Sequence, residues 1–206
     1  DCAISAEVES VVNTSTDKAV NPFSVMGTTK LMGEHLIRAA NLASTSTSFS
    51  STRFGNVLGS SGSVVPIFRN QIENGASLTL TSRDMTRFVM TLEDAARLVL
   101  QSVSLSKGGE TFITKMKTVR IADLARAMIQ MLLGTRDDEE VQKKITEIGA
   151  RPGEKYFEEL MSSEEKRRCR ELEEYFVIFP ALTDVYGEHG QEEPSLGQFD
   201  AYNSEN

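Results

Sequence analysis

The stretch SVVNTST, residues 10–16, is rich in β-branched side chains and has the length of a buried strand. Polar residues follow it directly, and apolar residues at helical spacing then cover residues 23–44. A second strand is predicted over residues 50–57. This order of strand, helix and strand indicates two parallel strands joined by a crossover helix, and catalytic groups are expected where the first strand ends.

The remainder of the chain continues the alternation of helices and strands. We predict helices over residues 64–74, 91–105, 121–133 and 155–161, and strands over 78–81, 88–90, 111–114, 145–148 and 175–179. Residues 136–144 are predicted to be a charged connector. The fold class is therefore α/β. Residues 1–58 form the C-terminal part of a Rossmann-type parallel sheet, to which strand 110–115 returns, and residues 59–206 form mainly a smaller mixed α/β substrate domain with a mobile tail from residue 186.

The composition restricts the possible partners of the chain. Its 22 Lys and Arg against 30 Asp and Glu give a net charge of −8, which argues against nucleic acid as a partner. No stretch has the apolar length of a membrane helix, and the two cysteines are expected to be reduced, which favours a cytoplasmic location. The chain begins with Asp1 rather than Met, so we interpret it as a fragment.

Several polar groups are candidates for chemistry, each with a plainer alternative. Thr16-Asp17-Lys18 at a strand end is either an acid/base pair or a solvated ion pair in a loop. Lys30, four residues after Met26, is either a cofactor ligand or a surface lysine. Residues 59–63 could bind a phosphate at a helix N-terminus or form an ordinary turn.

Three arginines near turns, Arg53, Arg87 and Arg151, could converge on a diphosphate or form surface ion pairs. His35 is interpreted as a packed or solvent-facing side chain, and no residue cluster has the spacing of a metal site.

Longer motifs in a fixed order carry a family resemblance. STDKAVNP (residues 15–22), VMGTTK (25–30) and RFGNVLGSSGSVVP (53–66) resemble the nucleotide-sugar 4,6-dehydratases of the extended short-chain dehydrogenase/reductase superfamily. MTRF (85–88), GGE (108–110) and RPGEK (151–155) continue the match, which extends to residues 202–204. Within that superfamily the chain resembles the UDP-N-acetylglucosamine 4,6-dehydratases of capsule and glycan biosynthesis.

This resemblance implies a lyase that binds NAD and a UDP-sugar and that forms a 4-keto-6-deoxy sugar nucleotide. By resemblance, Asp17 protonates the departing 6-hydroxyl, Lys18 handles the carbon 5 proton and Thr16 bonds the 4-hydroxyl. Lys30 and Ser15 hold the cofactor. Met26 stands where the superfamily usually has a catalytic tyrosine, so either Asp17 or Lys18 accepts the 4-hydroxyl proton through Thr16 or water, or the chain is inactive.

On the substrate side, five positions match those that hold the UDP moiety in the family: Asn56, Val64, Arg87, Arg151 and Glu154. The glycine fingerprint for NAD is absent from the 206 residues, so the resemblance implies that it precedes Asp1 in a longer protein. The family further implies a homo-oligomer and, in one branch, a membrane domain in the full-length parent.

Two other functions stay open at this point. The chain could be a non-catalytic UDP-sugar binding remnant, or an epimerase on the same scaffold. The Asp17-Lys18 pair argues against an epimerase, because epimerases need no acid to expel water.

Overall fold

The computed structural model describes residues 1–150, 153–181 and 202–205. The helices in these ranges are α1 (Cys2–Ser5), α2 (Val25–Leu42), α3 (Val64–Glu73), α4 (Leu92–Leu105), α5 (Ile121–Leu133), α6 (Asp138–Lys143) and α7 (Ser163–Lys166). The strands are β1 (Ser10–Thr16), β2 (Ser48–Phe54), β3 (Asn56–Val57), β4 (Leu78–Leu80), β5 (Thr86–Met90), β6 (Thr111–Thr114), β7 (Lys117–Arg120), β8 (Ile145–Glu147), β9 (Glu159–Met161), β10 (Cys169–Glu171), β11 (Tyr175–Ile178) and β12 (Tyr202–Asn203).

The described residues form two compact units. The first comprises Asp1–Gly55, Leu92–Lys115 and Glu159–Asn203, and the second comprises Asn56–Thr91, Met116–Glu158 and Ser204–Asn206. This division differs from the predicted boundary after residue 58, because α4 and the segment from Glu159 belong to the first unit. The physical reason is that α4 packs on β1, β2 and β6, while β11 and β10 extend the same sheet.

The first unit contains a five-stranded sheet in the order β1-β2-β6-β11-β10. β1, β2 and β6 are parallel, β11 pairs antiparallel with β6, and β10 pairs antiparallel with β11. The predicted strand over residues 10–16 and the α/β fold class are therefore confirmed. Leu98, Phe112, Tyr175 and Val177 form a buried apolar cluster in this unit.

The second unit has two small sheets, β3-β5-β7 and β4-β8. Its apolar core lies among α3, β4, α5 and α6, and it contains Phe68, Leu80, Ile129 and Val141, each nearly inaccessible to solvent. Gly134 ends α5 in the left-handed conformation with a φ of 69°, as the sequence pattern predicts.

Several local predictions differ from the structure. The predicted helix over residues 155–161 is wrong, because Glu159–Met161 is a strand that pairs with β12. The strand over 50–57 is broken at Gly55 into β2 and β3, which belong to different sheets. The connector over 136–144 contains α6, whose N-cap Asp137 accepts hydrogen bonds from two backbone N–H groups. The predicted mobile tail lies, except for residues 202–205, outside the described residues.

The helix α2 has an unexpected distribution of burial. Its buried residues are Gly27 and Glu34, whereas Val25 is 83% exposed and Met32 and Leu36 are each 60% exposed. The helix therefore buries a glycine and a carboxylate while it leaves several large apolar side chains exposed. Across the described residues, no helix combines the length and the hydropathy that crossing a membrane requires.

Candidate active site

The chain turns sharply where β1 ends. Thr16 is the N-cap of a 3₁₀ turn over Asp17–Ala19, and its hydroxyl oxygen accepts a hydrogen bond from the backbone N–H of Lys18 at 3.4 Å. Thr16 is extended, with φ −152° and ψ 158°, as a strand residue and a capping residue both require. The sequence Thr-Asp-Lys therefore places three polar side chains at the carboxyl end of a parallel strand, where α/β proteins bind ligands.

Asp17 is fully buried, and its two carboxylate oxygens differ in their hydrogen bonding. Its Oδ1 accepts hydrogen bonds from the Thr16 hydroxyl and from Lys18 Nζ, both at 2.8 Å. Its Oδ2 is also buried, and nothing among the described residues donates a hydrogen bond to it. A buried carboxylate oxygen without a donor is costly, and such groups in folded proteins call for a functional explanation.

Helix α2 approaches this turn very closely. Ser24 caps the helix by accepting a hydrogen bond from the N–H of Gly27 at 3.1 Å. A Cβ atom on Gly27 would lie 2.2 Å from the carbonyl oxygen of Lys18, which is a clash with backbone. Glycine at this position is therefore required by close packing of the helix on the turn, a role that the sequence pattern did not reveal.

The other predicted catalytic and cofactor residues of the first unit lie near the same strand. Lys30 donates to the backbone carbonyl of Thr14 at 3.0 Å, so its ammonium is held at the end of β1. Ser15 is 4% exposed, and its hydroxyl has no hydrogen-bond partner within the described part of the chain. Met26 is 48% exposed and offers only a thioether at the start of α2.

Arg53 does not have the surroundings of a phosphate ligand. It is 1% exposed, and all five of its N–H groups are used within the first unit. Nε and Nη2 donate to Glu34 at 2.9 and 2.7 Å, and Nη1 and Nη2 donate to Glu165 at 2.9 and 2.6 Å. The last N–H donates to the carbonyl of Leu160 at 3.0 Å. Of the two alternatives for Arg53, the structure favours the ion pair over the diphosphate ligand, although the pair is buried rather than at the surface.

The charges in this cluster stabilise one another. Burial by itself lowers the pKa of Arg53, but the hydrogen bonds to Glu34 and Glu165 outweigh burial and raise it above its ordinary value. Burial likewise acts to raise the pKa of Glu165, yet the hydrogen bonds and charge of Arg53 lower it to about 2. Ser162 completes the cluster, because its N–H and hydroxyl both donate to Glu165. Arg53 and Glu165 are therefore both ionised at neutral pH.

Arg87, on β5 of the second unit, has a different environment. Its Nη1 donates to the carbonyls of Thr86 and Tyr156 at 2.7 and 3.2 Å, and its Nη2 donates to the carbonyl of Lys155 at 2.8 Å. Its Nε lies 3.8 Å from a carboxylate oxygen of Glu158. Three backbone carbonyls and the carboxylate of Glu158 therefore orient this guanidinium.

The remaining predicted substrate residues are placed as follows. Asn56 lies on β3, the strand beside β5, and it pairs with Val89, two residues from Arg87. Glu154 is exposed and immediately precedes Lys155, whose carbonyl binds Arg87. Val64 is the first residue of α3 and packs against the core of the second unit. Arg151 lies outside the described residues.

The turn before α3 has glycines where its backbone requires them. Gly59 and Gly62 have φ angles of 74° and 75°, and the N–H of Ser63 donates to the carbonyl of Ser60 at 3.0 Å. Ser63 caps α3 without a side-chain hydrogen bond. The small-residue loop therefore forms a hydrogen-bonded turn that needs left-handed conformations at two positions.

Sequence reasoning missed several residues that organise these sites. Glu34 and Glu165 are far apart in the sequence, and nothing in their local patterns marks them as partners of Arg53. One signal was available, since Glu34 follows Gly27 by about two helical turns and so lies on the same face of α2. Ser204 was also missed: it is 2% exposed, accepts a hydrogen bond from the N–H of Glu158 and donates to the carbonyl of Thr86.

Comparison with curated proteins identifies relatives over most of the chain. It is 48% identical to the capsular polysaccharide biosynthesis protein CapD of Staphylococcus aureus over 181 residues, which is 87% of this chain and 29% of CapD. It is 43% identical to a UDP-glucose 4-epimerase of Rickettsia canadensis over 178 residues, 85% of this chain and 50% of the relative. It is 41% identical to a UDP-N-acetylglucosamine 4,6-dehydratase (inverting) of Campylobacter jejuni over 181 residues, 86% and 51% of the two chains. The chain thus spans about half the length of these relatives, or less.

Solved structures show the same likeness. Pen from Bacillus thuringiensis superposes with a TM-score of 0.82 at 40% identity, covering 99% of this chain and 59% of Pen. A dTDP-glucose 4,6-dehydratase of Streptomyces venezuelae, solved with NAD, shares the fold with a TM-score of 0.64 at 19% identity, covering 75% and 52%.

The family profile described as "Polysaccharide biosynthesis protein" matches residues 1–180. That match covers the strand end with Thr16-Asp17-Lys18, the Arg53 cluster and the strand that carries Arg87. The chain belongs to the polysaccharide biosynthesis protein family, which includes sugar-nucleotide dehydratases and epimerases.

Proposed function

We propose that this chain is part of an NAD-dependent enzyme that dehydrates a UDP-N-acetylhexosamine, with UDP-N-acetylglucosamine as the first candidate, to a 4-keto-6-deoxy sugar nucleotide for polysaccharide biosynthesis. The observation that carries the proposal is the turn after β1. There a buried carboxylate is hydrogen-bonded through one oxygen to a hydroxyl and an ammonium, and its second oxygen has no donor among the described residues. A dehydration needs such a group to protonate a leaving hydroxyl.

The residues near β1 fit one part of NAD. Lys30 presents an ammonium at the strand end, and Ser15 has a buried hydroxyl for which the described residues supply no partner. These two side chains would hold the nicotinamide ribose. The glycine fingerprint that would bind the pyrophosphate is not among the 206 residues. When bound, NAD would remove a hydride from sugar carbon 4 and return it at carbon 6.

The polar triplet would move the protons of this reaction. The Thr16 hydroxyl would bond the sugar 4-hydroxyl and pass its proton to Asp17, 2.8 Å away. Asp17 would then give that proton to the departing 6-hydroxyl, which leaves as water. Lys18, in its amine form, would take the proton from carbon 5 and later return one there. In this scheme Met26 takes no proton, because a thioether has no acidic or basic group at neutral pH.

The second unit would bind the UDP moiety. Arg87 is oriented by three backbone carbonyls and would contact the diphosphate, a contact that is strong when donor and acceptor are both charged. Asn56 lies on the neighbouring strand, and Glu154 with Arg151 would complete the set. Val64 would add an apolar contact at the start of α3.

The test is product analysis by mass spectrometry after incubation with UDP-N-acetylglucosamine and NAD. The protein should be the longest open reading frame that contains these 206 residues. We expect a product lighter by one water, and we expect Asp17→Asn to abolish it. Asp123→Asn, an exposed aspartate in the first turn of α5, is the matched control and should retain activity. Nucleotide binding without any turnover would instead favour a non-catalytic UDP-sugar binding remnant.

A second candidate function is 4-epimerisation of a UDP-sugar. It is favoured by the 43% identity to a protein named UDP-glucose 4-epimerase. The same assay separates the two, because an epimerised sugar keeps its mass whereas a dehydrated sugar loses one water. An isomer of unchanged mass, formed by the wild type and by Asp17→Asn alike, would replace the dehydratase proposal.

A further inference from the structure

The buried arginine of the first unit joins three elements that are distant from it in sequence. Arg53 lies on β2 and binds Glu34 of α2 through two hydrogen bonds. It also binds the carbonyl of Leu160 on β9, and Glu165 of α7 through two further bonds. One planar guanidinium therefore fixes α2, β9 and α7 at set distances from the sheet.

The Asp17–Ala19 turn contacts two of the elements that Arg53 joins. On one side, α2 lies so close that Gly27 has no room for a Cβ atom beside the carbonyl of Lys18. On the other, β9 packs against the turn, and Asn21 just after it donates to Glu159 of β9 at 2.9 Å. The positions of α2 and β9 therefore determine where Asp17 and Lys18 lie.

The energetics of the cluster support a geometric role. Burying three ionised side chains costs desolvation energy that their mutual attraction only partly recovers, so such clusters are poor sources of stability. The cluster instead fixes the orientation of the guanidinium. Arg53 makes a two-bond contact with each of two carboxylates and one bond to a carbonyl, and this set of bonds allows only one orientation. A lysine at this position would keep the charge but would have three donors in place of five and no planar fork.

We propose that Arg53 is a positioning residue for the reaction: by holding α2 and β9 at a fixed separation, it sets the hydrogen-bond geometry of Asp17 and Lys18. This inference rests on the proposed dehydratase function. It predicts an effect on the chemical step that exceeds the effect on folding or on nucleotide binding.

The test compares Arg53→Lys with Arg168→Lys in the longest open reading frame that contains the chain. Arg168 is the matched control, because it too is largely buried and bonds a carboxylate, Glu164, and a backbone carbonyl, that of Phe179. We expect Arg53→Lys to lower kcat for water loss about 10- to 100-fold. KM for the UDP-sugar should stay within about twofold of the wild type, and the pH profile of kcat should shift. Arg168→Lys should leave kcat and its pH profile at the wild-type values.

The inference is overturned if Arg53→Lys retains the wild-type kcat and pH profile. It is also overturned if activity falls only in proportion to the folded fraction with an unchanged pH profile, because that result shows a purely structural role. Should Arg53→Lys fail to fold, Glu165→Gln provides the same test. Its amide oxygen can still accept from the N–H of Ser162, while it loses the charge that pairs with Arg53.

A failure of the proposed function would be distinguishable. If the wild type dehydrates no sugar nucleotide, the dehydratase proposal falls, and the inference is decided by NMR titration of the Asp17 carboxyl carbon. A changed titration midpoint in Arg53→Lys but not in Arg168→Lys supports positioning of Asp17 by Arg53. Equal midpoints in all three proteins overturn it.

Discussion

Two arginines of this chain are held in opposite ways. Arg53 in the first unit is enclosed by Glu34 and Glu165, and every one of its N–H groups has an acceptor. Arg87 in the second unit is oriented by the backbone carbonyls of Thr86, Lys155 and Tyr156, with one carboxylate at 3.8 Å. In the sequence both are single arginines near turns.

We propose that this difference separates an arginine used for structure from one used for ligand binding. A guanidinium paired with two carboxylates has no attraction left for a phosphate, and it serves to hold elements together. A guanidinium held mainly by neutral carbonyls, with a single carboxylate 3.8 Å away, is fixed in space and would keep more of its electrostatic field for an anion. The acceptor type, and not the arginine itself, separates the two roles.

The largest change in the free energy of unfolding is expected from removing the charge of Arg53. Arg53→Met leaves Glu34 and Glu165 buried without a cation, so we expect the free energy of unfolding to fall by about 3–5 kcal/mol. Urea denaturation followed by circular dichroism measures this loss. A loss below about 1 kcal/mol would mean that water enters the cluster and that it is less closed than the structure indicates.

A second, smaller effect is expected from acid. The pKa of Glu165 in the folded protein is about 2, below its ordinary value of 4.5, because of Arg53. A lowered pKa stabilises the fold fully above pH 4.5, and this contribution is lost as the pH falls from 4.5 towards 2. Thermal unfolding measured between pH 6 and pH 2 should show a steeper loss in the wild type than in Glu165→Gln. Equal slopes would place the acid sensitivity elsewhere.

Replacing Arg87 should weaken UDP binding, whereas replacing Arg53 should affect stability most. Arg87→Met removes hydrogen bonds to three carbonyls and leaves the buried carboxylate of Glu158 without its nearby cation. We expect a loss of stability of about 1–3 kcal/mol, below that of Arg53→Met, which removes the buried cation from two carboxylates. Binding of UDP, measured by titration calorimetry, should weaken about tenfold or more, because a charged contact to the diphosphate is lost. Unchanged UDP binding would contradict the role proposed for Arg87, and the two arginines would then differ only in their contacts.

The smallest effect is expected at the surface. Arg97 and Glu93 form an ion pair of 3.0 Å between positions i and i+4 of α4, with side chains 52% and 82% exposed. Arg97→Met should change the free energy of unfolding by less than about 0.5 kcal/mol. This variant calibrates the comparison, because it separates the cost of losing any arginine from the cost of leaving carboxylates buried and unpaired.

Local prediction succeeded where periodicity and caps agreed. The strand over residues 10–16, the helix beginning near Ser24 and the glycine stop at Gly134 depend on neighbours within a few residues, and all three are present in the structure. It failed for residues 155–161, because β9 forms by pairing with β12, some forty residues away in the sequence. Short strands of this kind depend on a distant partner more than on their own composition.

The candidate site also has features that local sequence predicts and features that depend on distant contacts. The sequence by itself determined that Thr16, Asp17 and Lys18 follow a strand, because adjacent residues need no tertiary contact to be neighbours. Only the tertiary structure decided that one buried oxygen of Asp17 receives no hydrogen bond from the described part of the chain and that Arg53 pairs with two carboxylates. Glu34 and Glu165 lie 19 and 112 residues from Arg53 along the chain. The pairing of such distant charges depends on how the helices and strands pack, and a local sequence pattern carries no information about it.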